Sequence, residues 1–453
     1  MDQRSTHNPI KLDDGAVAAG EACVHCGLCL PACPTYTETF DEADSPRGRI
    51  MLMLGLNRGD VTYDDSVKGH LDGCLNCRAC ETACPSGVVY HQLLENTRDK
   101  LHESGVDPTV GGGGLTRWFF LNVLTKPTRL KLALLPARVL QKLKLYGLVR
   151  GLGLPRLLPR SFRKMEAMLG PGEAWPKPLP ERSRSGGVSN LIGALAPGSV
   201  GKPPPQPKVG FLPGCIGSVM FNDVNRKAVE LLAAAGADVL VPKAQTCCGA
   251  IHHHAAETDD AKRMARQNID AFEKDRPEMI ATTIAGCGAM LHDYANLLSD
   301  DPAYAEKARQ FAATVRDVTQ VLTDLGMPEM KHEVRRTVTY HDACHLCHAQ
   351  KVTAEPRTLL AEVPGLTLVP LTESEICCGA AGTYNLTQPG MAERLAHRKL
   401  NHIAETKADI AAMGNVGCAT HLRATAAQRG DTLEIVHPVD LLHEAVFGPD
   451  GDR

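Results

Sequence analysis

The sequence of 453 residues has few aromatic side chains, little net charge and no long apolar segment. Phe, Trp and Tyr together make up 4% of the chain, and the formal net charge at pH 7 is -3. A nearly balanced charge gives no reason to expect nucleic acid as a partner. No window approaches the roughly 20 consecutive apolar residues that span a bilayer. These absences favour a protein that is soluble or bound to the surface of a membrane.

The first residues also lack the apolar segment of a secretory signal. Met1 to Ser5 lead directly into polar sequence, so we expect a chain that stays in a reducing compartment. The predicted location is the cytoplasm, or the inner face of the cytoplasmic membrane. In a reducing compartment the 17 cysteines do not form disulfides, and their thiols are available to bind metal.

Two cysteine runs near the amino terminus carry the most specific chemical signal. Residues 23–34 and 74–85 both follow the pattern C-x2-C-x2-C-x3-C-P, which is typical of proteins with two [4Fe-4S] clusters. In such paired runs, three thiolates hold one cluster and the fourth ligates the other cluster. The predicted ligand sets are Cys23, Cys26, Cys29 and Cys84 for the first cluster, and Cys33, Cys74, Cys77 and Cys80 for the second. Two structural zinc sites are the alternative, but zinc ribbons use C-x2-C pairs at a distance rather than close runs of three cysteines.

Residues 1–104 are expected to form one domain that holds both clusters. Between the two runs lie 40 residues, 34–73, and the segment 47–54 within them has helical character. A compact ferredoxin built of short strands has little use for such an insert, so we expect a mostly helical domain with the cysteines in loops at helix starts. Pro34 and Pro85, which end the two runs, are expected to open helices, and the alternative is that they are simply turn residues.

Residues 105–207 are expected to connect this domain to the rest of the chain. Between Leu115 and Met165 the connector contains twelve Lys or Arg and no Asp or Glu, interleaved with many leucines. A basic and apolar stretch is typical of a helix that lies on a membrane or docks on an acidic partner. The alternative is a solvated connector whose leucines pack on the chain's own domains. The prolines at 127, 136, 155 and 159 are expected to divide this stretch into short pieces, and the segment 170–207 is rich in Pro, Gly and Ser and is expected to form a semi-rigid linker.

The carboxyl-terminal half contains an internal repeat, predicted as two equivalent domains, 208–330 and 331–453. Each unit has a cysteine after an apolar run, then a Cys-Cys-Gly triplet, then a Gly-Cys pair. The separations from Cys215 to Cys247 and from Cys248 to Cys287 are 32 and 39 residues, and those in the second unit are 33 and 40. The near-equal spacing indicates two copies of one fold.

Each unit alternates apolar runs with helical stretches, which predicts a parallel sheet covered by helices. Examples of the runs are 238–241, 338–340 and 366–369, and examples of the helical stretches are 222–235 and 260–272. The predicted fold class is therefore α/β and multidomain, with a helical two-cluster ferredoxin domain followed by two similar α/β domains with parallel sheets. Open α/β sheets bind ligands at the carboxyl ends of their strands, which is where the cysteines of both units fall. Adjacent glycines, Gly249 and Gly379 among them, are expected to let the backbone approach a bulky group closely.

These cysteines are candidate ligands of a further metal centre. The first unit offers four thiols, and the second unit is favoured because Cys347 gives it five. The candidates are Cys215, Cys247, Cys248 and Cys287 in the first unit, and Cys344, Cys347, Cys377, Cys378 and Cys418 in the second. The alternatives are that the thiols are buried as small apolar groups or that the units serve only as docking scaffolds.

The sequence resembles the iron-sulfur subunits of glycolate oxidase, also called glycolate dehydrogenase, over nearly its whole length. The resemblance lies in CVHCGLC at residues 23–29, CPTY at 33–36, SPRGRI at 45–50, CLNCRACET at 74–82, both Cys-Cys-Gly units, and CGAAGTY at 378–384. One departure concerns the end of each unit, where the fullest pattern in related proteins has a final cysteine. Met290 and His421 occupy that position in this sequence. Thioether and imidazole groups can both ligate iron.

The resemblance implies an electron-transfer subunit of an FAD-dependent 2-hydroxy-acid dehydrogenase, with glycolate as the substrate of the complex. It also implies that FAD lies on partner subunits and that electrons pass onward to a quinone or another acceptor. The sequence contains no complete dinucleotide or phosphate-binding fingerprint, so we do not expect this chain to catalyse substrate oxidation alone. The alternatives are a heterodisulfide- or quinone-reductase-like subunit with a special iron-sulfur site in the Cys-Cys-Gly domains, and the equivalent subunit of a lactate or glycerol-3-phosphate dehydrogenase.

Overall fold

The computed structural model describes residues 10–105, 114–158, 160–170, 176–184 and 206–449. Its amino-terminal part is helical, as predicted, and the cysteine runs lie in loops between helices except for Cys80, which lies within the short helix Ala79–Thr82. The apolar side chains of Met53, Leu93 and Leu94 are buried at the centre of this part. Its helices are Asp14–Glu21, Pro34–Thr39, Pro46–Arg58, Asp65–Asp72, Ala79–Thr82 and Tyr90–Glu103, with a 3-10 turn at Glu42–Asp44.

Local signals account for the bounds of the helix Pro46–Arg58. The Ser45 side chain accepts a hydrogen bond from the Gly48 amide at the start, and Pro46 suits the first helical position. At the other end Gly59 adopts a left-handed conformation with φ 83°, which is typical of a residue that ends a helix. This helix lies in the segment between the two cysteine runs, and it brings the buried Arg49 toward the second run.

Pro34 opens a helix as predicted, but Pro85 does not. The next helix after Pro85 begins at Tyr90. The intervening chain turns at Gly87, which has φ +68°. Because of this turn, Pro85 remains in the loop beside the cysteines.

The basic connector forms a series of helices on the surface of the protein. They are Gly114–Phe119, a π-helical turn at Phe120–Leu124, Pro127–Lys142, Tyr146–Gly151, a 3-10 turn at Leu154–Leu157, and Arg160–Ala167. The expectation that Pro136 ends a helix is wrong, because Pro136 lies inside Pro127–Lys142. Proline leaves the carbonyl four residues earlier without its usual donor. That carbonyl belongs to Leu132, which is 59% exposed, so water has access to this part of the helix.

The described residues of the predicted linker 170–207 include one short strand, β1 (Arg182–Ser183). Arg182 and Arg184 both bind the carboxylate of Asp238 on the neighbouring strand. These ion pairs hold this piece of the linker against the first repeat unit. The polyproline segment 202–205 lies outside the described residues.

The first repeat unit is built on a sheet with the order β1-β3-β2-β4-β5. Strands β2 to β5 are parallel, and β1 pairs antiparallel with β3. These strands are β2 (Lys208–Phe211), β3 (Asp238–Leu240), β4 (Met279–Thr282) and β5 (Val315–Asp317). The helices are Gly217–Met220, Asn222–Ala234, Ala250–His254, Thr258–Glu273, Ala285–Leu297, Ala305–Thr314 and Val318–Leu325.

The second unit has a parallel sheet with the order β7-β6-β8-β9. Its strands are β6 (Thr337–His341), β7 (Thr367–Val369), β8 (Ile410–Met413) and β9 (Glu434–Val436). Its helices are a π-helical turn at His345–Ala349, then Ala354–Ala361, Tyr384–Thr387, Pro389–Glu405, Val416–Arg429 and Pro438–Phe447. The predicted strands and helices of both units are confirmed within one or two residues, and the predicted α/β fold with parallel sheets is confirmed.

The two units face each other and share one apolar core. Gln350 donates to the carbonyl of Ala285 over 2.9 Å, and the Ala285 amide donates to the carbonyl of Gly414. These contacts join loops at the carboxyl ends of the two sheets. The cysteine-bearing ends of both units are therefore directed toward a common centre.

Gly249 and Gly379 follow the paired cysteines and adopt left-handed conformations with φ +90° and +89°. A Cβ atom on Gly379 would lie 2.7 Å from the carbonyl oxygen of Ala392. This glycine is thus required by a turn and by close packing on a neighbouring helix.

Candidate iron-sulfur centres

The first four-cysteine site lies at the surface of the helical domain. A small cavity there is lined by Cys23, Cys26, Cys29 and Cys84, together with Arg47 and Pro85. Cys26 is exposed to solvent, and the other three cysteines are half-buried. Arg47 donates to the carbonyl of His25 and to the carboxylate of Glu42, which holds the first cysteine loop against the helix Pro46–Arg58. Burial is the main reason that the pKa of Cys29 rises to about 11.

The second four-cysteine site lies deeper in the protein. Its cavity is lined by Cys33, Cys74, Cys77 and Cys80. Two donors point at the Cys74 sulfur: the Asn76 amide at 3.4 Å and the Tyr90 hydroxyl at 3.6 Å. Hydrogen bonds to cluster sulfurs and burial both influence the reduction potential of a cluster.

Arg49 places a buried positive charge on the wall of the second site. The residue is 1% exposed and lines the same cavity as the four cysteines. Its guanidinium donates to Thr35 and to the carbonyl of His70, and it pairs with Asp44. Burial opposes this charge, but the nearby Cys74 and other acidic groups keep the pKa of Arg49 above its ordinary value. A cation at this position favours the more negative, reduced state of a bound cluster.

A central cavity of about 180 Å³ lies between the second site and both repeat units. Cys74 lines the second site and this central cavity alike. The cysteines of the repeat units on its wall are Cys215, Cys247, Cys248 and Cys287 from the first unit, and Cys344, Cys377 and Cys418 from the second. The fold thus collects thiols from three parts of the chain around one space.

The thiols of the repeat units are crowded. The sulfurs of Cys215 and Cys247 are 3.4 Å apart, and those of Cys344 and Cys377 are 3.8 Å apart. The neighbouring thiols Cys215 and Cys248, together with burial, raise the pKa of Cys247 well above its ordinary value. A bound cation would stabilise such thiolates, because metal ligation couples to deprotonation.

Two of the predicted cysteines, Cys347 and Cys378, do not line the central cavity. The Cys347 sulfur lies 3.7 Å from the carbonyl oxygen of Cys344. His421, which takes the position of the missing final cysteine, bonds through Nε2 to the carbonyl of Ala392 at 3.2 Å. Met290, its counterpart in the first unit, is buried in the apolar core.

Polar contacts clamp the second cysteine loop between the repeat units. His345 bonds to the carbonyl of Asn76 at 3.0 Å, and Arg78 forms an ion pair with Asp293. Tyr384 donates to the carbonyl of Gly73 at 2.9 Å. The sequence runs gave no sign of these partners, because each contact joins residues more than 200 positions apart.

The donor chemistry of both amino-terminal sites fits the group that the motifs predict. Four thiolates are the usual ligand set of a [4Fe-4S] cluster. Each cavity is lined by four cysteines, three from one run and one from the other. A helical domain with two such sites, joined to two cysteine-rich α/β units, is the architecture of an iron-sulfur protein that transfers electrons.

Comparison with known proteins gives the family. The chain belongs to the family of glycolate oxidase iron-sulfur subunits. It is 36% identical over 440 residues to the probable glycolate oxidase iron-sulfur subunit of Bacillus subtilis (strain 168), covering 96% of this chain and 95% of the relative. It is 32% identical over 437 residues to the glycolate oxidase iron-sulfur subunit of Escherichia coli (strain K12), covering 94% of each.

Three domain families match successive parts of the chain. A 4Fe-4S dicluster domain matches residues 19–88, and the linker region of the glycolate oxidase iron-sulfur subunit matches 112–169. The cysteine-rich domain matches 209–292 and again 338–423. A shorter relative, lactate utilization protein A of Halalkalibacterium halodurans, is 32% identical over 237 residues, which is 52% of this chain and 96% of the relative. The predicted iron-sulfur cofactors and the electron-transfer role are thereby confirmed.

Proposed function

We propose that this chain carries electrons from FAD-containing subunits of a glycolate (2-hydroxy acid) dehydrogenase toward a quinone or another acceptor. The observation that supports the proposal most directly is the pair of four-cysteine cavities, one at the surface and one buried beside the central cavity. The glycolate oxidase subunits to which the chain is similar along almost its full length support the choice of complex.

The ligation in this proposal is crossed. Cys84 comes from the second run but lines the first cavity, and Cys33 comes from the first run but lines the second. This placement supports the predicted ligand sets, in which the fourth cysteine of each run serves the other cluster.

Electrons enter, in this proposal, at the first site. Cys26 is exposed, and it is flanked by Val24 and Leu28, which are 68% and 57% exposed. Exposed apolar side chains beside a redox centre are suited to docking a protein partner. The second site is more buried and adjoins the central cavity, so it is placed to receive electrons from the first.

A further iron-sulfur centre in the first repeat unit is part of the proposal. All four of its cysteines line the central cavity, and four thiolates suffice for one cluster. The division of the chain at residues 104, 207 and 330 is likewise retained as a proposal, supported by the separate sheets of the two units.

The helices of the connector also support a contact with an anionic membrane. Of the 16 exposed large apolar side chains among the described residues, 12 lie between Leu115 and Leu158. Leu132, Leu135 and Val139 are spaced three and four apart and form an exposed stripe on the helix Pro127–Lys142. An apolar stripe flanked by basic residues is typical of a helix that lies in a membrane interface. Among the described residues, no helix is both long and apolar enough to cross a bilayer.

The test of the electron-transfer role uses the reconstituted chain together with the FAD-containing subunits under anaerobic conditions. Adding glycolate should bleach the visible absorption of the clusters and produce the EPR signals of reduced [4Fe-4S] centres. Parallel samples with lactate or glycerol 3-phosphate distinguish the alternative dehydrogenases, and oxidation of dithionite-reduced clusters by a heterodisulfide would indicate the reductase-like alternative. Reduction by dithionite but by neither glycolate, lactate nor glycerol 3-phosphate with the flavin subunits present would refute the role.

A further inference from the structure

His341 presents a ring nitrogen that has no partner inside the second repeat unit. The residue ends strand β6, which lies between β7 and β8 in the sheet, and it is 0% exposed. Its Nδ1 lies 2.8 Å from the carbonyl oxygen of Ser374. A carbonyl oxygen only accepts, so the ring proton is on Nδ1 and the lone pair is on Nε2. Within the described part of the chain, Nε2 is buried and makes no hydrogen bond.

Two buried thiols lie close to this imidazole. The ligand atoms of His341, Cys378 and Cys418 all lie within 4.8 Å of one another. Cys378 and Cys418 are 1% and 3% exposed, so the whole group is closed off from bulk solvent. A buried nitrogen without a hydrogen bond carries a desolvation cost, and a metal ion between the three atoms would remove that cost.

From this geometry we propose that His341, Cys378 and Cys418 bind a mononuclear zinc ion. Two thiolates and one neutral imidazole are a ligand set that zinc favours. The hydrogen bond from Nδ1 to the Ser374 carbonyl is the outer contact that metal-binding histidines commonly make, because it fixes the tautomer and the orientation of the ring. Asn415 supplies a second outer contact, since its side-chain amide donates to the Cys418 sulfur at 3.4 Å.

The surroundings hold the Ser374 carbonyl in place. It also accepts from the Asp342 amide at 3.1 Å and from the Lys399 ammonium at 3.4 Å. Arg357 binds the Asp342 carboxylate with both terminal nitrogens and reaches the Ser374 hydroxyl. The imidazole is therefore oriented by a hydrogen-bonded network, as is common for metal-binding histidines.

The site is specific to the second unit. His341 lies three residues before Cys344, and the residue three before Cys215 in the first unit is the buried Leu212. His421, a buried histidine three residues after Cys418, already uses its Nε2 on the Ala392 carbonyl. Three protein ligands leave a fourth position for water or a substrate atom, and Cys418 also lines the central cavity.

The test is metal analysis and X-ray absorption at the zinc edge on the full chain, isolated anaerobically with its iron-sulfur centres. We expect about one zinc per chain in a shell of sulfur at about 2.3 Å and nitrogen at about 2.0–2.1 Å. Zinc that had replaced iron at the amino-terminal sites would be surrounded by sulfur alone. Metal analysis of His341→Ala should show loss of zinc with the iron content unchanged. Removing a ligand should cost more zinc affinity than the roughly 10–100-fold that loss of an outer contact costs.

Two further variants separate ligation from folding. His341→Cys should keep zinc and convert its shell to sulfur only. His421→Ala, which removes a buried imidazole from the same unit, should keep zinc with sulfur and nitrogen ligands. The proposal is overturned if the unmodified chain carries no zinc, if its zinc has no nitrogen ligand, or if His341→Ala loses iron instead of zinc. The spectrum of the unmodified chain decides the matter even if His341→Ala does not fold.

Discussion

The carboxylate of Glu95 lies 3.1 Å from Nε2 of His253 and 3.2 Å from Nδ1 of His254. Glu95 belongs to the last helix of the two-cluster domain, and the histidines belong to the first repeat unit. Glu95 is 5% exposed. This buried contact joins the two parts of the chain near the second site, since Asn76 of the cysteine loop also donates to Glu95.

We expect this pair to make stability depend on pH. Burial disfavours the charged form of both groups, but the attraction between the two opposite charges has the larger effect. The pKa of Glu95 is therefore lowered well below its usual value, and that of His253 is raised to about 9. The glutamate contribution is present above its ordinary value of 4.5 and is lost as pH falls further, and the histidine contribution is present below 6.5 and is lost as pH rises through about 9.

The variant Glu95→Gln should lower the free energy of unfolding by about 3 kcal/mol at pH 6, because it leaves a buried imidazolium without its partner. The difference from the unmodified chain should shrink above pH 9, where His253 loses its proton in both. Denaturant titrations across this range measure it, and Glu103→Gln, which changes an exposed carboxylate of the same helix, is the control. An equal loss at all pH values would contradict the ion pair.

Changing the fourth cysteine of each run should affect the cluster of the opposite run. Cys33→Ser should alter the EPR signal of the cluster held by Cys74, Cys77 and Cys80, because Cys33 lines that cavity. Cys84→Ser should alter the other cluster. Loss of the cluster held by Cys23, Cys26 and Cys29 in Cys33→Ser would show that the ligation is not crossed.

Removing the buried charge of Arg49 should lower the reduction potential of the second cluster. A unit charge several ångströms away, at an effective dielectric constant of about 20, changes the potential by on the order of 100 mV. Redox titration of Arg49→Met followed by EPR measures the shift, and Arg49→Lys, which keeps the charge, should remain close to the unmodified chain. A shift of the first cluster alone would contradict the placement of Arg49.

Binding to anionic vesicles should depend on the exposed basic residues of the connector. Each Lys or Arg near an anionic surface contributes roughly 1 kcal/mol, so four engaged residues give about 4 kcal/mol, or roughly a thousandfold in affinity. Vesicle flotation at increasing salt should show a steep loss of binding. The variant to test changes six exposed residues to Gln: Lys126, Arg129, Lys142, Lys144, Arg150 and Arg163.

A matched control changes six exposed basic residues elsewhere to Gln: Arg58, Lys243, Arg263, Arg309, Lys331 and Arg335. Only the connector variant should detach from the vesicles. If both variants bind equally, the membrane contact is wrong. A connector variant that keeps vesicle binding but no longer co-purifies with the flavin subunits would assign this surface to the partner protein.

The sequence alone was sufficient for the two-cluster motif, the repeat and the parallel sheets. These features are local. The ligand spacing in a run such as 23–34, and the alternation of strands and helices, can be recognised from neighbouring residues without knowing the contacts with the rest of the chain. The expectation of a helix boundary failed at Pro136, because Leu132, whose carbonyl lacks its usual donor, is exposed. The expectation of a helix start failed at Pro85, where the turn at Gly87 delays the next helix.

Only the tertiary structure decided which histidine faces the thiols of the second unit. Sequence position favoured His421, which stands where a final cysteine is missing, but its Nε2 is already bonded to Ala392. His341 lies on a strand far from Cys378 and Cys418 in the chain, and the fold brings them together at the end of the sheet. The burial of Arg49 and the clamp on the second cysteine loop depend likewise on long-range packing. Spacing along a chain carries no information on which hydrogen-bond partner a distant side chain finds.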